Sequence, residues 1–244
     1  PMTLCFRMDQ VDKEKFQQNR ARINPLYRQF QQEGKIKNVR EDVLIFDTLH
    51  DGILHFNSTR IVRRNPTDSF DLTLAEIEAR EQVYELWHFL RDNIPGFENS
   101  RVLSTAIQIG TRESRMIDGE YCLTQEDLKN CVHFPDGIAA GNYDIDIHNP
   151  EGSGTSHYFF APGTWYTIPY RCLLPVGTKN LLVAGRCISS THEAQASYRI
   201  MPIVCCIGEA AGTAAGVACR AHTSLRGVDV EQVRAILKAG GAPI

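Results

Sequence analysis

Gly208, Gly212 and Gly216 recur at four-residue intervals inside an alanine-rich run that opens at Met201-Pro202 and continues to about Ala221. That spacing places all three on one face of a helix, with proline at a favourable first position. Each glycine costs roughly 1 kcal/mol relative to alanine inside a helix, so a close contact with another backbone or with a ligand has to compensate. Just upstream, Leu181-Leu182-Val183-Ala184 is a continuous apolar run ending in Gly185-Arg186. Such a run suits a buried parallel strand that delivers a functional loop at its carboxyl end. Strand, polar loop and a helix with no acidic residue at its amino end would together form a positive pocket, suited to an anion or an electron-rich ring. A tight helix–sheet contact without a ligand is the alternative.

The rest of the chain alternates helices and strands. From Met8 to Lys37, Phe16, Ile23, Leu26 and Phe30 are spaced as one stripe of a surface helix, with a break expected near Pro25 and closure at Gly34 and Asn38. Val43–Phe46 and His55–Val62 read as strands. A helix is predicted from about Leu74 to Asn93, with Thr73 and Glu76 as a capping pair and Ile77, Val83, Tyr84, Trp87 and Leu90 on one face. Val102–Ile109 and Tyr121–Leu123 read as further strands, Thr124 with Asp127 as a helix start, and Val230–Lys238 as a short amphipathic helix. The pattern predicts an α/β chain whose larger, earlier part is a mixed sheet with flanking helices.

With 26 Lys+Arg against 29 Asp+Glu, the net charge of −3 gives no field that would hold nucleic acid or an anionic membrane. No run approaches the roughly 20 consecutive apolar residues of a bilayer span, and Pro1–Arg7 is not a secretory signal. A soluble, cytoplasmic chain is expected. The eight cysteines show no framework or metal-ligand spacing, which favours buried, reduced thiols and argues against a metal site. A start at Pro1 suggests a chain that is trimmed or part of a longer polypeptide.

Three segments offer chemistry. Arg112, Glu113 and Arg115 follow a strand, and two guanidinium groups around one carboxylate suit an anionic or polyhydroxyl substrate, unless the segment is simply a solvated charged loop. Asp144, Asp146 and His148 alternate and share a strand face, a polar outward face or else an acid–base or metal cluster. His192 lies between Gly185 and the glycine-faced helix; it and His148 are the candidates for a catalytic base, against a purely structural role for each. Tyr170 and Arg171 either line the same cavity or pack at a strand end.

Asn180-Leu181-Leu182-Val183-Ala184-Gly185-Arg186, then Arg199-Ile200-Met201-Pro202, then Gly208-Glu209-Ala210-Ala211-Gly212-Thr213-Ala214-Ala215 resemble the closing segment of FAD-dependent oxidoreductases. Gly110–Arg115, Ile145–His148 and Ile168–Arg171 resemble further blocks of the same family in the same order, so the likeness covers most of residues 40–244. The resemblance implies a substrate-facing cap over residues 1–165, the closing strand, loop and helix of an FAD-binding domain over 166–222, and a surface helix over 223–244. It implies FAD as cofactor, with Gly185 and Arg186 beside the pyrophosphate and ribityl chain. The helix opening at Met201-Pro202 would face the pyrimidine edge of the ring, with Arg199, Gly208 and Gly212 as further cofactor-binding residues. Hydride would pass from a small polar organic substrate to flavin N5, with His192 or His148 taking the proton.

The family opens on a strand, a G-x-G-x-x-G turn and a helix that grips the ADP half of FAD. Among the 18 glycines, Gly152-Ser153-Gly154 is the G-x-G match, but position 157 is His. The chain therefore resembles the carboxyl-terminal part of such an enzyme, expected by itself to bind FAD weakly or not at all and to be inactive without the missing amino-terminal segment. Two other readings stay open: a binding module that carries no flavin, and a metal hydrolase using Asp144, Asp146 and His148.

Overall fold

The computed structural model describes residues 1–244, and the chain passes between two units at 112/113, 147/148 and 154/155. The first unit is Pro1–Arg112 with His148–Gly154, the second Glu113–Ile147 with Thr155–Ile244, and each has its own hydrophobic core.

The first unit runs β1 (Met2–Thr3), β2 (Phe6–Asp9), α1 (Lys13–Gln32), β3 (Ile45–Asp47), β4 (Leu54–Phe56), α2 (Ser69–Asn93), β5 (Arg101–Thr105) and β6 (Gly110–Thr111). Its four-stranded sheet has the order β3-β4-β2-β5, each ladder antiparallel. In β2, Phe6 and Met8 are buried and Arg7 is exposed, the alternation of a strand with one face on a core. Phe6 stacks on its cross-strand partner Phe56 with ring centroids 4.8 Å apart. Asp12 caps α1 by accepting from Lys15 N.

Pro25 lies inside α1 rather than breaking it. The lost backbone bond and ring clash, about 3 kcal/mol in an isolated helix, are offset because Phe16, Ile23 and Tyr27 anchor both sides of the proline in the core. After α2, Gly96 takes φ +102° and brings the chain back onto the start of α1; a Cβ there would lie 2.7 Å from Phe16 N.

Helix α2 starts at Ser69, five residues before the expected Leu74. Asp68, not Thr73, is the N-cap, accepting from Asp71 N, and the Glu76 carboxylate receives Ile109 N instead of closing a capping box. The buried face is Ala75, Ala79, Val83, Leu86 and Leu90, so Ile77 and Tyr84 are exposed. Small residues at 75 and 79 let the helix approach the core closely on that side.

The second unit contains α3 (Gln125–Lys129), β7 (Gly137–Gly141), β8 (Ile145–His148, whose last residue belongs to the first unit), β9 (Thr155–Tyr158), β10 (Tyr166–Pro169), α4 (His192–Tyr198), α5 (Met201–Ala221) and α6 (Val230–Ala239). The Thr124–Asp127 capping box at α3 forms as its sequence indicates. β10 pairs antiparallel with β7, and β8 pairs with β9. α5 buries Ile203, Ile207, Ala210, Ala214 and Val217, and α6 adds Val233 and Leu237 to the same core. By length and composition α5 is apolar enough to cross a membrane, with a mean hydropathy of 1.5, yet these five side chains pack within the unit.

Helices with several small antiparallel sheets make the chain mixed α/β. Two expected strands are absent. Leu181–Ala184 forms no strand and stays half-exposed to exposed, because a parallel strand needs neighbours on its ladder and this chain offers it none. Tyr121–Leu123 makes only a bridge from Leu123 to Ser190. The unit boundaries fall at 112/113 and around 148–154, while residue 165 lies inside the second unit, away from any boundary.

Candidate functional site

Thr191 caps α4 by accepting from Ala194 N, which sets His192 as the first helical residue. From there His192 Nδ1 lies 2.5 Å from Glu113 Oε2. The Glu113 hydrogen bond raises the imidazole pKa above its ordinary value, more than burial lowers it. Glu113 orients the ring through Nδ1, and Nε2 remains for proton transfer. The two arginines expected around Glu113 do not hold it: Arg115 is exposed with no ion pair, and Arg112 donates to Pro1 O at 3.2 Å and Thr3 Oγ1 at 2.7 Å in the first unit.

Behind α4, buried Tyr198 meets Ser190 Oγ at 2.9 Å and donates to Arg186 O at 3.3 Å. It thereby fixes the loop that carries Gly185 and Arg186. Gly185 has φ +110° with open space beyond its Cα, and Arg186 is exposed. Arg199 closes α4 and pairs with Asp146 Oδ2 at 3.2 Å. Ile200 then caps α5 without a side-chain hydrogen bond, no acidic residue stands in the first turn, and Met201 is 82% exposed. The free end of this helix is therefore positive and accessible. Beyond it, a Cβ on Gly208 or Gly212 would meet nothing within 4 Å. At Gly208 and Gly212 the close contact expected for the glycine face is not made by any residue of this chain, while at Gly216 the Arg220 side chain would lie 3.6 Å from an added Cβ.

His148 and Arg60 meet in the first unit. Arg60, with a fully buried side chain, donates to Glu41 Oε1 at 2.8 Å and lies 2.9 Å from His148 Nδ1. Because a guanidinium only donates, Nδ1 of His148 must accept, and the neutral ring carries its proton on Nε2. The ring nitrogen that could take up a proton is thus occupied. Asp144 and Asp146 face His157 instead, with His157 Nδ1 2.8 Å from Asp144 Oδ2 and Nε2 3.8 Å from Asp146 Oδ1. His157 was not evident from sequence, since its partners lie across the β8–β9 hairpin. No three His, Cys, Asp or Glu side chains gather as metal ligands.

Tyr170 and Arg171 are held by structural partners. Tyr170 donates to Leu225 O at 2.8 Å, and burial pushes its phenol up to about 12. Arg171 bonds Asp136 at 2.9 Å and lies over the Tyr121 ring. The second unit therefore contains a carboxylate-held imidazole, two exposed guanidinium groups, a positive-φ glycine and a helix with two open glycines.

A family model described as FAD dependent oxidoreductase matches residues 1–237. No curated protein and no solved structure matches the chain.

Proposed function

Because the chain belongs to the FAD dependent oxidoreductase family, we propose that it forms the carboxyl-terminal part of an enzyme that oxidises a small polar organic substrate. The observation that carries this reading is the open set of flavin-side elements: the bare Gly208–Gly212 face, the uncapped amino end of α5 and the half-exposed apolar run Leu181–Ala184 without a ladder partner. An apolar run and two helical glycines left open are unfavourable in water, and a sheet neighbour and a cofactor would relieve both.

These residues fit one end of FAD. The positive end of α5 suits the pyrimidine edge of the ring, Arg186 and the Gly185 turn suit the pyrophosphate and ribityl chain, and Gly208 and Gly212 leave room for close approach. The ADP half has no holder here, since none of the 18 glycines completes G-x-G-x-x-G. When bound, FAD accepts a hydride from substrate carbon. His192, oriented by Glu113, takes the proton from the adjacent O–H or N–H, and Arg115 binds an anionic or hydroxyl-rich part of the substrate. Arg112 and His148 anchor the first unit instead.

The test is an FAD titration of this chain alone and of the chain joined to a segment carrying the dinucleotide fingerprint. Weak or absent binding alone and saturable binding with yellow colour after joining are expected. A joined protein that stays colourless in excess FAD overturns the reading and leaves a flavin-free binding module.

A further inference from the structure

Residues 35–44 form no regular secondary structure, yet their backbone is fixed from outside at almost every step. Gln31 Nε2 of α1 donates to both Asn38 O (2.7 Å) and Arg40 O (2.8 Å), and Asn24 Oδ1 receives Val43 N at 2.9 Å. From α2, the Glu85 carboxylate receives Lys37 N at 2.7 Å and Asn38 N at 3.1 Å, while buried Asn38 donates to Ser58 O at 2.8 Å. An irregular segment whose carbonyls and amides are answered by the scaffold holds its own side chains in set positions, the construction of a binding loop.

Those side chains face an open cavity of about 580 Å³ in the first unit, within the range of small-molecule sites. Its charged lining is three cations, Arg28, Lys37 and Arg40, against one carboxylate, Glu41. Glu41 is already paired with Arg60, and Arg28 holds Asp42 through Nη2 at 2.5 Å, leaving Nη1 open. The Lys37 ammonium and the Ser153 hydroxyl have no protein partner and stand at the same cavity. Ile36 and Val39 supply an apolar wall.

We propose that this cavity binds a small organic anion, a carboxylate or phosphate ester bearing hydroxyl groups. Lys37 and Arg28 meet its charge, and Ser153 meets a hydroxyl or phosphate oxygen. The lone ammonium supplies attraction that an uncharged sugar would not feel. This site goes beyond the flavin reading and does not depend on it.

Isothermal titration of the chain with glucose 6-phosphate, citrate and uncharged glucose tests it. One of the two anions is expected to saturate a single site with a dissociation constant below about 1 mM, and glucose is expected to give no saturable heat. Lys37→Gln should weaken that binding at least about tenfold, whereas Lys35→Gln, outside the cavity, should leave it unchanged. Both lysines are exposed, so melting temperatures serve as the folding control. Absence of saturation by either anion, equal binding of glucose, or an affinity indifferent to Lys37→Gln overturns the proposal. Each of these results leaves the FAD titration untouched.

Discussion

His192 Nδ1 and Glu113 Oε2 lie 2.5 Å apart although the residues are 79 positions apart in the chain. The pair raises the imidazole pKa in the folded state. A raised folded value means stabilisation that is complete below the unfolded value of roughly 6.5 and lost as pH rises through the folded one. Glu113→Gln is therefore expected to lower the His192 titration midpoint in a ring-proton NMR titration. With both side chains partly exposed, it should cost only about 0.5 kcal/mol at acidic pH and little under alkaline conditions, read from urea midpoints. An unchanged His192 midpoint would remove Glu113 as its partner.

Gly208→Ala and Gly212→Ala separate fold from cofactor. Added methyl groups meet no protein atom, so each is expected to raise stability by about 0.5–1 kcal/mol through helix propensity. The same changes should weaken FAD binding once the dinucleotide-binding segment is joined. Thermal melts and flavin titration read the two effects; destabilisation would mean that the face is already packed.

Gly96→Ala is expected to behave in the opposite way. Its φ of +102° and the 2.7 Å approach of a Cβ to Phe16 N leave no accommodation without moving α1. A loss of about 2–3 kcal/mol in urea unfolding is expected, and a neutral substitution would contradict the described turn.

Arg60→Met removes a buried cation that serves both Glu41 and His148. Leaving those partners without their donor should cost about 3 kcal/mol. Amide hydrogen exchange of residues 149–154 should accelerate first, because His148 and the Glu41 contact to Gly154 N both tie that segment down. Uniform exchange across the first unit would show that Arg60 acts on the whole core rather than on this tether.

Local signals were the legible ones. Pro202 with small residues at helical spacing marks α5, and Thr124 with Asp127 marks α3, because both patterns are completed within one or two turns. The start of α2 was displaced because two capping residues compete, and Asp68 with Asp71 wins over Thr73 with Glu76. Leu181–Ala184 carries strand composition, but a strand exists only with a ladder partner, which composition does not reveal. At the candidate site His192 and Glu113 could each be named from sequence, but their pairing could not. Arg60 and His157 escaped because their partners, His148 at one and Asp144 at the other, come from distant or cross-hairpin positions.

The three crossings of the chain also dictate an order of assembly. His148–Gly154 completes the first unit, so a nascent chain leaving the ribosome cannot finish that unit until residue 154 has emerged, by which time α3, β7 and β8 of its neighbour are already synthesised. A single proteolytic or genetic cut at 112/113 would therefore sever the amino-terminal portion from the piece that seals it. Isolating either half intact calls for circular permutation or an engineered linker in place of simple truncation.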